Sequence, residues 1–139
     1  MSSTCGPYKL LGGYNLTSSK QIKQTFQLPP HTYVKIAANY HFIDFWKGET
    51  GYLKVQYEND EKYVLWSQSV NSDGINYGKF GDGAFNICGN SIPESLLGQK
   101  IQSVFKHSDK TLDIFFGSTL KGGPDQSSYG ISDVEIYVI

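Results

Sequence analysis

The chain contains no arginine: all 12 of its basic residues are lysine, set against 13 acidic ones, for a formal net charge of -1. Arginine supplies the planar fork that grips phosphate and reads guanine. Its absence, with balanced charge, argues against a dedicated nucleic-acid binder, which carries a basic patch or stripe. Long apolar runs are missing as well. No stretch approaches the roughly 20 apolar residues that span a bilayer as a helix. The start, Met1-Ser2-Ser3-Thr4-Cys5-Gly6-Pro7, has no basic region followed by an apolar core, so no secretory signal is expected. A chain with this start is either cytosolic or organellar, or a mature fragment of a surface or secreted protein.

Cysteine is scarce. Cys5 and Cys88 are too few for a zinc site, and His31, His41 and His107 show no ligand spacing with them. The two cysteines fit a long-range disulfide outside the cell or a pair of reduced thiols packed as small hydrophobes inside it, and the reduced form is the working expectation. The sequon Asn15-Leu16-Thr17 matters only if the protein is secreted. Helical periodicity is also absent. Period-two alternation takes its place, and a length of 139 residues fits one domain with its own core.

After the break at Pro29-Pro30, Val34, Ile36, Ala38, Tyr40 and Phe42 alternate with Lys35, Ala37, Asn39 and His41, which predicts one long strand. Gly48 to Gly51 reads as a turn. Leu53, Val55 and Tyr57 then alternate up to a charged hairpin tip, Glu58-Asn59-Asp60-Glu61-Lys62, with a return strand at Tyr63-Val64-Leu65-Trp66. Residues 71–83 are crowded with glycine, asparagine and aspartate and predict a loop. A short strand is expected at Phe85–Cys88 and a single helical turn at Pro93–Leu97. Ile101–His107 and Leu112–Phe116 form a hairpin around Ser108-Asp109-Lys110, residues 121–128 are a polar stretch, and Val134–Ile139 is the last strand. About eight strands with turn signals every ten residues predict an all-β, antiparallel sandwich of jelly-roll, galactose-binding-like type, the last strand pairing with an early one.

Binding chemistry gathers in three predicted loops, 44–51, 71–83 and 121–130. Trp46, Lys47, Glu49, Asn76, Tyr77 and Tyr129 are the candidate ligand-binding residues, since loop aromatics beside hydrogen-bonding groups suit an amphipathic ligand such as a sugar. Trp66, in an alternating strand, reads as core. Asp44, Glu49 and Asp133 could hold calcium, which takes six to eight oxygen ligands; the plain alternative is that they bond their own turns. Asp73, Asn76 and Asp82 are a second candidate set, but their spacing does not match the twelve-residue calcium loop. No catalytic set is expected. His107 and Asp109 lack a nucleophile elbow, and His107 reads as a strand-end histidine bonded to the following turn. Asp44 and Glu49 as a glycosidase pair would need a cleft that the pattern does not predict.

The ordered motifs Phe42-Ile43-Asp44-Phe45-Trp46-Lys47-Gly48-Glu49, Trp66, Cys88-Gly89, His107, Gly117-Ser118-Thr119-Leu120 and Ser127-Ser128-Tyr129-Gly130-Ile131-Ser132-Asp133-Val134-Glu135-Ile136 resemble a β-sandwich domain of large, cysteine-rich ciliate surface proteins. The resemblance covers about residues 30–139 and implies adhesion or assembly at a cell surface, with no assigned reaction. Lys47 and Ser127 stand where that pattern has acidic residues, which removes charge from any cation site it implies. The expectation is a non-catalytic, lectin-like module that binds a glycan, assisted by calcium. Its rival is a scaffold or adhesion subunit that docks on proteins, including cell-surface proteins, through aromatic rims.

Overall fold

The structure is a computed structural model that describes residues 2–5, 8–14, 16–44, 46–57, 61–71, 96–123 and 127–139. Among these the strands are β1 (Ser2–Cys5), β2 (Tyr8–Gly12), β3 (Ile22–Gln27), β4 (Tyr33–Asp44), β5 (Lys47–Tyr57), β6 (Glu61–Asn71), β7 (Leu96–Lys106), β8 (Thr111–Ser118) and β9 (Ser127–Val138). They form two antiparallel sheets, one ordered β1-β2-β9-β4-β7 and the other β3-β8-β5-β6. The fold is the expected all-β sandwich of jelly-roll type.

Alternation sets which residues meet between the sheets, because successive side chains on a strand point to opposite faces. Val34, Ile36, Ala38, Tyr40 and Phe42 of β4 face Leu53 and Val55 of β5 and Leu112, Ile114 and Phe116 of β8, all buried in one cluster with Trp46, Ile101, Tyr129 and Ile131. Full burial of each large apolar side chain contributes about 1.5–3 kcal/mol. Ile22, Phe26 and Trp66 pack against the cluster from its margin. The last strand does pair with an early one: β9 bonds β2 through Leu11↔Ile131 and Gly12↔Gly130, as well as running beside β4.

Several expectations need correction: Glu61 and Lys62, read as hairpin tip, open β6, and β9 begins at Ser127 rather than Val134. Residues 48–51 belong to β5, which runs from Lys47 with a register shift between Lys47 and Thr50; Gly48, at φ +91, absorbs the irregularity. Leu96 and Leu97 are strand rather than the end of a helical turn. Cys5 is disulfide-bonded, which overturns the expectation of a reduced thiol there. The strand expected at Phe85–Cys88 and residues 72–83 of the loop expected over 71–83 lie outside the described residues; Asn71 itself ends β6.

The N-terminal hairpin β1–β2 was not expected, and it explains why β4 loses its alternation near its end. His41 and Ile43 lie on the face of the sheet opposite Phe42, yet both are fully buried. Ile43 packs with Cys5 and Leu10 in a small second core beneath Tyr14. His41 is satisfied inside: the Gly98 amide donates to Nδ1 at 2.9 Å. The ring proton therefore sits on Nε2 and donates to Ser132 Oγ at 2.8 Å.

Candidate functional site

Trp46 carries the first lesson about the site. It lies between β4 and β5, where a loop aromatic would be expected to meet solvent, but it is fully buried. Asp44 adopts a left-handed backbone (φ 62), and beyond that turn Trp46 lies edge-on to Phe42 with centroids 4.8 Å apart. Its Nε1–H is shared between the carbonyls of Ile43 and Ser128, both at 3.1 Å. A buried indole needs such acceptors, and here the backbone supplies them. Trp46 is a core residue, not a sugar platform.

Tyr129 is corrected in the same way. It is fully buried and stacks on Tyr40 with centroids 5.3 Å apart and planes 12° from parallel. Its hydroxyl donates to the Lys20 carbonyl, with the Phe116 carbonyl 3.1 Å away. Tyr40 donates to the Gly117 carbonyl at 2.8 Å. Burial raises both phenols above the ordinary tyrosine pKa, with neighbouring tyrosines adding to the effect. These rings hold the two sheets together and keep polar atoms paired in a dry layer.

The three carboxylates proposed for calcium are not brought together. Asp133 is exposed and sits at a left-handed position (φ 53) where the β4–β9 register shifts; Asn39 Nδ2 donates to its Oδ2 at 2.9 Å. Asn39 lies five residues along β4 from Asp44, roughly 16 Å at the usual strand rise. Asp44 is buried, and Glu49 Oε1 accepts the Lys47 amide N–H at 2.5 Å. Among the described residues no three His, Cys, Asp or Glu side chains converge. Asn76 and Tyr77, with Asp73 and Asp82, lie outside the described residues.

Lys47 and Glu49 are brought together, and with residues far away in sequence. A hollow of about 490 Å³ at this end of the sandwich is lined by Lys47, Gly48, Glu49, Thr119, Lys121 and Gly122. The two sides are tied where β5 meets the end of β8: the Thr50 amide donates to Thr119 Oγ1 and the Thr119 amide to the Thr50 carbonyl, each at 2.9 Å. Ser18 Oγ holds the Gly122 carbonyl at 2.9 Å. The walls thus offer two ammonium groups, a carboxylate and one hydroxyl over a backbone fixed by strand pairing. Predicted loops 44–51 and 121–130 do meet here. Thr119 was missed as a site residue because its role depends on pairing 69 positions back in the chain.

The histidines also meet unexpectedly. His31 and His107 stack with centroids 5.0 Å apart, and His31 Nε2 lies 2.7 Å from His107 Nδ1. His107 is therefore engaged by a partner 76 positions earlier, a contact the sequence reading did not include. Because one ring must donate and the other accept, the pair is a strut between the segment before β4 and the end of β7.

Comparison with known proteins adds the fold class. No family model matches the sequence, and no curated protein matches it. Among solved structures, the C-terminal domain of EclA, a sugar-binding protein, superposes with a TM-score of 0.52 at 8% identity, over 91% of this chain and 71% of that one. CBM4, a carbohydrate-binding module, superposes with a TM-score of 0.52 at 14% identity, over 100% of this chain and 76% of that one. At such identities the likeness is one of architecture: the chain has the sandwich fold of carbohydrate-binding modules.

Proposed function

We propose that this chain is a non-catalytic carbohydrate-binding module that seats a glycan in the hollow formed by Lys47, Gly48, Glu49, Thr119, Lys121 and Gly122. The observation that carries the reading is the composition of that hollow. A sugar presents closely spaced hydroxyls that both donate and accept, and the lining supplies carboxylate, ammonium and hydroxyl partners on strand ends that cannot drift apart. Binding without chemistry suits these groups. A glycosidase needs two carboxylates flanking the scissile bond, whereas Asp44 is buried and Glu49 is the carboxylate at the wall. The module works where glycans are displayed, at a cell surface or outside the cell, in line with the disulfide-bonded Cys5. The described residues assemble no calcium set, so in this reading calcium would be held between Glu49 and oxygens of the sugar itself.

Titration calorimetry with a panel of soluble oligosaccharides, run in calcium and again in chelator, tests the proposal. At least one sugar is expected to bind, and Glu49→Gln combined with Lys121→Ala should weaken it about tenfold or more while the thermal midpoint holds. Equal affinity in the variant would move the site elsewhere, and no heat from any sugar would remove the carbohydrate reading. Equal affinities in calcium and chelator would remove the metal.

One observation favours the rival reading of a protein-docking subunit. Tyr33, Val104 and Tyr137 are 45%, 60% and 50% exposed on adjoining strands β4, β7 and β9 of the five-stranded sheet, where Lys35 pairs with both Val104 and Tyr137. Sedimentation of the wild type beside Val104→Lys tests whether this face associates: a larger species lost in the variant would support docking.

A further inference from the structure

The outer face of the four-stranded sheet carries an arrangement that the hollow does not use. Register places Lys23 of β3 and Lys54 of β5 on either side of Phe115 of β8, each paired with it. Phe115 is not part of the core between the sheets, yet it is only 5% exposed. Lysines cover it. Lys62 Nζ lies 4.1 Å from the ring centroid and Lys23 Nζ 5.8 Å from it. Next along β5, Tyr52 lies flat on Gly117, so closely that a Cβ there would come within 2.5 Å of Cζ. Lys54 Nζ is 4.5 Å from the Tyr52 ring, whose hydroxyl accepts from Gln21 Nε2 at 2.8 Å.

Each ammonium thus stands over an aromatic face within the reach of cation–π attraction. Flexible lysines on an ordinary surface would lose more side-chain freedom on meeting a ligand; these are already placed. Among the described residues of this face the countercharge is Asp113, whose Oδ1 accepts from Thr25 Oγ1 at 2.6 Å. Three cations against one carboxylate make a positive strip on a molecule whose net charge is -1.

We infer that this strip, Lys23, Lys54 and Lys62 over Phe115 and Tyr52, binds a carboxylate-bearing glycan, a strand of uronic acid units. The inference deepens the carbohydrate reading above and rests on it for the class of polymer. Charge complementarity selects the anion, since lysine ammoniums meet carboxylates as point charges. The class of polymer, a sugar, comes from the carbohydrate reading; the rings, already covered by the ammoniums, set where those charges stand along the strip. A nucleic acid is the weaker match, as this chain has no arginine to fork onto phosphate or guanine.

Calorimetry on the whole chain with a galacturonate tetramer and a galactose tetramer, at low and at moderate salt, tests the inference. The galacturonate tetramer is expected to bind at least tenfold more tightly than its neutral counterpart, and to weaken as salt rises. The double variant Lys54→Gln, Lys62→Gln keeps most of each stem while removing its charge. It should lose at least tenfold for galacturonate with its thermal midpoint little changed. Equal binding of the two tetramers, unchanged affinity in the variant, or equally tight binding of a single-stranded oligonucleotide of matching charge would overturn the inference. Loss of this preference while neutral sugars still bind at Glu49 and Lys121 would sink the strip alone. No binding of any sugar would sink both readings.

Discussion

The rings inside the sandwich and the rings on its four-stranded face are the same residue types with opposite fates. Tyr40, Trp46 and Tyr129 are fully buried and send their polar atoms to backbone carbonyls. Tyr52 and Phe115 lie on neighbouring strands of one sheet, but on its other side, where lysine ammoniums sit over them. The core rings organise dry polar contacts; the outer rings organise charge. Facing parity on a strand separates them: Phe116 goes to the core and Phe115 to the lysines, one residue apart.

The largest expected effect lies inside. Trp46→Ala should cost about 3–5 kcal/mol, the usual range for removing a large buried aromatic. Urea unfolding checks it, and a loss below about 1 kcal/mol would return Trp46 to the surface. Next comes a matched pair of glycines. A Cβ at Gly51 would come within 2.5 Å of Tyr40 Cζ, and one at Gly117 within 2.5 Å of Tyr52 Cζ. Tyr40 is locked in the core, so Gly51→Ala should cost about 1–3 kcal/mol through overpacking. Tyr52 can swing toward solvent, so Gly117→Ala should cost clearly less in the same assay. A reversed order would break the distinction between inner and outer rings.

Alkaline titration sharpens the comparison further. Burial raises the folded-state pKa values of Tyr40 and Tyr129 above the ordinary tyrosine value of about 10. In the unfolded chain these phenols ionise first, so their contribution is fully present below about pH 10 and is lost as pH rises toward the folded values. Thermal midpoints should therefore fall above about pH 10, and less so in Tyr129→Phe when each protein is compared with its own neutral-pH value. A wild-type midpoint flat to pH 12 would contradict this. The smallest effect belongs to the outer face. Lys54→Gln with Lys62→Gln should cost no more than about 1 kcal/mol per contact, the value of an exposed cation–π contact. A larger loss in calorimetric stability would make the strip structural.

Much of the fold was legible because burial on one side of a strand writes itself as alternation. Val34 to Phe42, Leu53 to Val55 and Leu112 to Phe116 all occupy the expected core. The candidate site was only half legible. Lys47 and Glu49 do line a hollow, but Trp46 and Tyr129, chosen as loop aromatics, are among the most buried side chains. Their neighbours in sequence are polar and look like loop; what encloses them comes from β4, β8 and the segment around Lys20, which no local pattern displays.

By itself the sequence determined the class of the molecule, a two-sheet antiparallel sandwich, because a period of two leaves an amphipathic strand few ways to hide its apolar face. It also determined that its positive charge would be lysine alone. Only the tertiary structure decided which aromatic rings are dry and which carry lysines. The same folding brought Thr119 and Lys121 beside Glu49 and paired His31 with His107. The reason is physical: such contacts join strands far apart in the chain, and their partners are set by sheet order and register, which become definite only when the two sheets close on one another.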